Sequence, residues 1–134
     1  MIEGAQRLSV VEAFRHLPPE ELAALERTLR ILPVARGQAL VREGEQADAL
    51  YIVVSGRFKV MRKGEPEPVA EIGAGMPVGE IAFFAGGART ATVVGDRDSL
   101  VLELKRDEFD RLAAGNPGIW PSITSQMAQR LAAM

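Results

Sequence analysis

The chain has 134 residues, 47% of them hydrophobic and 25% charged, which is one domain's worth of sequence with the balance of a folded globular protein. Its formal net charge of −2 gives no long-range attraction for nucleic acid, so direct nucleic-acid binding is not expected and any bound anion must be held by local groups. With no cysteine and a single histidine, His16, it can form neither a disulfide nor a thiolate metal site, and one imidazole cannot build a zinc or iron centre.

The chain opens with helical spacing. Val10, Val11, Phe14 and Leu17 fall on one face, with His16 read as a surface or cap residue beside them. Pro18-Pro19-Glu20-Glu21 starts a second helix, with prolines in its first turn and acids at its positive end. Leu22, Leu25, Leu29 and Ile31 continue the stripe until Pro33 stops it, so residues 1–30 are expected to be N-terminal helices. The first residues have neither the basic nor the apolar region of a signal peptide, and no segment has the apolar length of a bilayer span. A cytoplasmic address without membrane insertion is the expectation.

From residue 31 to 105 the pattern changes to short runs punctuated by glycine. Seven strands are expected: Ile31–Arg36, Ala39–Arg42, Leu50–Ser55, Phe58–Arg62, Val69–Ile72, Ala91–Val94 and Leu100–Leu104. Regular spacing of this kind suggests a mainly β fold with flanking helices, a double-stranded β-roll or jelly roll. Lys59, Arg62 and Lys63 read as solvated strand and turn positions.

Helix signals return over residues 106–134. Asp107 is expected to cap a helix through Leu112 that Gly115-Asn116-Pro117 ends. A last helix from about Ile119 carries Ile123, Met127 and Leu131 on one face, a stripe suited to core packing or to a homodimer. The closing Leu-Ala-Ala-Met has no capping residue, which suggests a helix continuing into a longer parent chain. The whole is read as a single domain over residues 1–134.

One stretch departs from the strand pattern: Gly79-Glu-Ile-Ala-Phe-Phe-Ala-Gly-Gly-Ala-Arg-Thr-Ala-Thr-Val93. Gly79-Glu80 opens a short helix through Phe84, and Gly86-Gly87 breaks it. Backbone N–H groups at a helix start lack intrahelical partners and suit an anion, while Gly79 and Ala82 are small enough for close approach. Arg89 brings a planar fork of donors that matches phosphate, and Thr90 adds a hydroxyl. An acid such as Glu80 repels phosphate, so its place in such a site is opposite a sugar hydroxyl. Taken singly, each residue favours a plainer reading, Glu80 complementing a helix dipole and Arg89 sitting solvated in a loop; together, with the glycines and the break at Gly86-Gly87, they favour a binding site.

This stretch resembles the phosphate-binding cassette of cyclic-nucleotide-binding domains, a pattern of Gly-Glu-aliphatic-Ala or Gly, a short variable run, then Arg-(Ala, Ser or Thr)-Ala. The resemblance runs from about Phe14 to Leu131. It includes Val41-Arg-Glu-Gly-Glu-Gln-Ala-Asp-Ala-Leu-Tyr-Ile-Val-Val-Ser-Gly56, and the tail Asn116-Pro117 with Gln126-Met-Ala-Gln-Arg-Leu131 is similar to the catabolite activator group. It departs from the family at Met76-Pro77-Val78, where a bulkier run is common, and the family's base-capping lid falls beyond the last residues.

The resemblance implies a ligand, cyclic AMP in preference to cyclic GMP, with no further cofactor. It implies that Glu80 accepts from the ribose 2′-hydroxyl and Arg89 pairs with the cyclic phosphate. The N–H groups of Ile81, Ala82 and Ala91 complete the cradle beside Gly79, with Thr90 compatible with either base. Val60, Val69 and Ile72 are implied to line the base and ribose pocket, and Arg130 to approach the ligand from the last helix, a position that helix packing explains equally well. Replacement of Arg89 or Glu80 is expected to weaken binding with the fold intact. The implied role is a regulatory sensor that repositions its C-terminal helices and signals to an effector outside this sequence. The alternative is a degenerate β-roll serving as an interaction or autoinhibitory module, for example beside a patatin-like phospholipase or a transporter. Catalysis is not expected, because the histidine cluster of a metal-dependent β-roll enzyme and the Gly-x-Ser-x-Gly elbow of a serine hydrolase are both absent.

Overall fold

A computed structural model describes residues 18–20, 23 and 27–115. The expected first helix with His16, and the last helix with Arg130, lie outside the described residues. Pro19, Glu20 and Ala23 are helical. Arg30–Lys105 forms one compact unit, and the flanking residues 1–29 and 106–134 are grouped in a second.

The Arg30–Lys105 unit contains eight strands: β1 (Arg30–Val34), β2 (Ala39–Val41), β3 (Ala49–Ser55), β4 (Arg57–Met61), β5 (Ala70–Gly73), β6 (Pro77–Val78), β7 (Thr92–Gly95) and β8 (Ser99–Lys105). A short helix, α1 (Glu80–Ala85), lies between β6 and β7. In the flanking unit, α2 spans Arg106–Gly115, with Asp107 inside its first turn rather than at the cap. The Asp107 carboxylate accepts the adjacent Glu108 N–H at 2.9 Å.

The strands form two antiparallel sheets, ordered β1-β8-β3-β6 and β2-β7-β4-β5. This is the expected mainly β roll. Val34, Val53, Val78 and Val101 from the first sheet pack with Val41, Phe58 and Val93 from the second into one buried cluster. Burial of each such side chain contributes roughly 1.5–3 kcal/mol, so this shared face is the main force holding the sheets together. On β3 and β8 both faces are covered: Leu50 and Ile52, in register with Leu104 and Leu102, are buried on the face turned away from the cluster. That explains why these strands read as nearly unbroken apolar runs instead of alternating.

Turns follow the glycines. Gly56, between β3 and β4, has φ +101°, and a Cβ there would lie 2.7 Å from the Ser99 Cα. Ser99 is itself buried, accepts the Arg57 N–H at 3.1 Å and donates to the Arg97 carbonyl at 2.8 Å. The β3–β4 corner is thereby fastened to the start of β8.

Two expectations need correction. Pro33 does not stop a helical stripe reaching Ile31; both residues lie in β1, in agreement with the strand expected over Ile31–Arg36. Pro77-Val78 forms a strand that was not expected, too short to show any periodicity and paired with Tyr51 and Ile52 of β3. Among the described strands, β1 and β6 form the two margins of the first sheet. A margin is where a proline is tolerated, because its missing N–H breaks no ladder on the outer side. Among the described residues, no helix is long and apolar enough to cross a membrane.

Candidate functional site

Gly79 sets the geometry of the segment between β6 and β7. Its φ of +70° turns the chain out of β6 and into α1, and Gly86 at φ +75° turns it out again. The first intrahelical bond runs from the Phe83 N–H to the Gly79 carbonyl at 3.1 Å, so the Ile81 and Ala82 N–H groups lie ahead of the helical ladder. Phe83 anchors the helix through complete burial, while Ile81 is 46% exposed.

The return from the helix is zipped onto the loop between β2 and β3. Ala47 N–H donates to Gly87 O at 3.1 Å, Arg89 N–H to Glu45 O at 2.7 Å, and Gly44 N–H to Arg89 O at 2.9 Å. Gln46 adds a side-chain bond to Gly86 O at 3.2 Å. The backbone of Arg89 is thus fixed before its side chain is placed.

That side chain is 6% exposed. Nη1 donates to the Gly79 carbonyl at 3.1 Å and Nη2 to the Ala49 carbonyl at 2.5 Å. The Gly79 oxygen therefore accepts from both α1 and Arg89, one bond for each lone pair. A Cβ on Gly79 would run into Nη1, so no larger residue fits there with Arg89 in place. Cζ stands 5.9 Å from the centre of the Tyr51 ring, within cation–π range.

Beside Arg89 is a cavity of about 140 Å³ lined by Val41, Val60, Ile72, Gly79, Glu80, Ile81, Ala82, Arg89, Thr90, Ala91 and Val93. Pockets that enclose a whole drug-sized ligand run to roughly 300–1,000 Å³, so this one has room for only part of a ligand of that size. One wall is apolar. Val41, Val93 and Val60 stand in register across β2, β7 and β4, with Ile72 on the next strand. The other wall carries one carboxylate, one guanidinium and the start of α1. A larger hollow, of about 400 Å³, is bounded by Pro33, Asp98 and Leu100 and has no cation in its lining.

The structure brings together nine of the residues singled out from sequence: Gly79, Glu80, Ile81, Ala82, Arg89, Thr90, Ala91, Val60 and Ile72. It does not bring Val69 to them. Val69 precedes β5, is 43% exposed, and is three residues from Ile72, which in a pleat of period two places it on the opposite face. Arg130 lies outside the described residues. Sequence reasoning missed Val41 and Val93, whose only signal was strand alternation, and the Ala49 carbonyl and Tyr51 ring, which carried none. Among the described residues no cluster of His, Cys, Asp and Glu is able to hold a metal ion.

Comparison with known proteins bears on the family and the fold. The model of the family described as the cyclic nucleotide-binding domain matches residues 31–116. The lysophospholipase nte1 of Aspergillus oryzae is 30% identical over 127 residues, a match that takes in 92% of this chain and spans 8% of that enzyme's length. Among solved structures, the N-terminal domain of a transcriptional regulator from Streptomyces coelicolor superposes with a TM-score of 0.83 at 27% identity, covering 95% of this chain and 93% of that one. The regulatory domain of Toxoplasma gondii PKA, crystallised with cAMP, gives 0.75 at 28% identity, covering 81% of this chain and 42% of that one.

Proposed function

Because this chain belongs to the cyclic nucleotide-binding domain family, a regulatory and non-catalytic fold, we propose that its cavity binds a cyclic nucleoside monophosphate, with cyclic AMP preferred and cyclic GMP accepted. The observation that carries the reading is the convergence of Arg89, Glu80 and the N-terminal turn of α1 on one small cavity with an apolar opposite wall. In this reading the guanidinium meets the cyclic phosphate together with the N–H groups of Ile81, Ala82 and Ala91. Glu80 accepts from the ribose hydroxyl, and the valine row with Ile72 packs against the sugar and base. Thr90, exposed at the rim, serves either base. Each charge-assisted hydrogen bond contributes about 1.5–3 kcal/mol, so three of them support binding near micromolar, about −8 kcal/mol. Binding then signals to an effector outside this sequence.

Titration calorimetry with cyclic AMP, cyclic GMP and linear AMP tests this. Saturable binding of a cyclic nucleotide, weakened by Glu80→Gln, is the expected result. No heat from either cyclic ligand, with a folded protein in the cell, defeats it.

A second reading is favoured by a specific observation: both Arg89 Nη atoms donate to backbone carbonyls, so the arginine has a structural use without any ligand. The similarity to a lysophospholipase, of which the chain spans 8%, fits a β-roll that serves as an interaction or autoinhibitory module within a larger lipid-hydrolysing protein. A melting temperature unmoved by cyclic nucleotides favours this second reading, since a ligand of the folded state raises it by mass action.

A further inference from the structure

Arg89 stands in the turn leading into β7, a strand of the second sheet, yet each of the three holds on its guanidinium described above comes from β3 or the residue after β6 in the first sheet. Ala49 and Tyr51 are two apart on β3 and so share a face. Gly79 directly follows Val78, the register partner of Tyr51. The carbonyls of Ala49 and Gly79 fix two nitrogens, and the Tyr51 ring stands next to the guanidinium carbon.

Tyr51 is in turn fixed from its other side. It is in register with Glu103 of β8, and its hydroxyl donates to Glu103 Oε2 at 3.3 Å. The order across the sheet is therefore guanidinium, ring, hydroxyl, carboxylate. An arginine has more rotamers than two carbonyl bonds select, and a ring pinned by its own hydroxyl removes further freedom. Ordering completed before a ligand arrives does not have to be supplied by the ligand.

We infer that Tyr51 is a positioning residue for Arg89, holding the guanidinium in the cavity wall at the orientation a bound phosphate needs, and that Glu103 keeps Tyr51 in place. The inference rests on the nucleotide-site reading for its functional meaning, though not for its structural test.

Tyr51→Phe keeps the ring and removes the tether to Glu103; Tyr51→Leu removes both. The first readout is the ¹⁵N–¹H resonance of the Arg89 Nε–H, identified by its loss in Arg89→Lys. A ring-current shift on that resonance is expected in the wild type, retained in Tyr51→Phe and lost in Tyr51→Leu. The second readout is affinity for cyclic AMP, expected to fall about threefold in Tyr51→Phe and about tenfold in Tyr51→Leu, the size of a partly desolvated cation–π contact. A folded Tyr51→Leu with the Arg89 resonance unmoved overturns the inference. If Tyr51→Leu does not fold, Tyr51→Phe decides through side-chain relaxation: an Arg89 Nε–H as rigid as in the wild type overturns it, and increased motion supports it. Should the wild type bind no cyclic nucleotide, the proposed function fails while the resonance experiment still decides the role of Tyr51.

Discussion

Arg89→Ala is expected to destabilise the fold as well as weaken binding, in contrast to the simple expectation from sequence that the fold stays intact. The guanidinium is 6% exposed and joins Ala49 on β3 to Gly79 at the start of α1. A hydrogen bond from a charged donor contributes about 1.5–3 kcal/mol, so losing two removes roughly 3–6 kcal/mol. The variant no longer bears the cost of holding a cation away from water, which offsets part of this, since desolvating an ion costs several kcal/mol. Gly79 O also keeps its bond from the Phe83 N–H, whereas the Ala49 carbonyl loses the arginine outright. The net expectation is a loss of about 2–4 kcal/mol, which for a domain of this size lowers Tm by roughly 8–15 °C. Differential scanning calorimetry without ligand measures it. A Tm within about 2 °C of wild type would show that the two carbonyl bonds carry no net weight, and the structural role assigned to Arg89 would have to be abandoned.

Gly79→Ala places a methyl group against Arg89 Nη1 at a φ of +70°; a left-handed alanine alone costs about 1–2 kcal/mol, and displacement of the arginine should add at least a tenfold loss of cyclic-nucleotide affinity by calorimetry. Gly56→Ala drives a Cβ to 2.7 Å from the Ser99 Cα, which backbone cannot yield to; stability should fall by about 2–4 kcal/mol, read as a lower urea midpoint at unchanged slope. Tyr51 has its pKa raised above 10.0 by burial and by the Glu103 carboxylate. The folded state therefore holds that proton more tightly than the unfolded one. The resulting stability is fully present below about pH 10 and is lost as pH rises through the folded value. Tyr51 is the one tyrosine of the chain, so phenolate absorbance reports it directly, and Tyr51→Phe should flatten the alkaline fall in stability.

Much of the roll was legible because its turns are chemically marked. Gly37, Gly44, Gly56, Gly64 and Gly75 all adopt positive φ, and each falls between strands where the sequence had placed a break. The Gly79–Ala91 segment was legible for a similar reason, since two glycines bracket a short helix and an arginine follows. What escaped depends on contacts between distant residues. Val41 and Val93 reach the cavity through a register that also contains a shift between Ala39 and Val41, and no local pattern encodes that. Val69 was assigned to the pocket by resemblance alone; in the structure it precedes β5, whose phase is set by Phe58 opposite Ile72. The structural use of Arg89 was invisible, since its partners are main-chain oxygens, which every residue possesses.

The prolines in the two marginal strands of the first sheet have a consequence for association. Pro33 in β1 and Pro77 in β6 each remove a donor that an incoming extended peptide would require. Recruitment of another chain by strand addition is disfavoured on both flanks. On those two flanks a second protein, or a neighbouring copy of the roll, has to be met through side chains and loops instead of through a shared ladder.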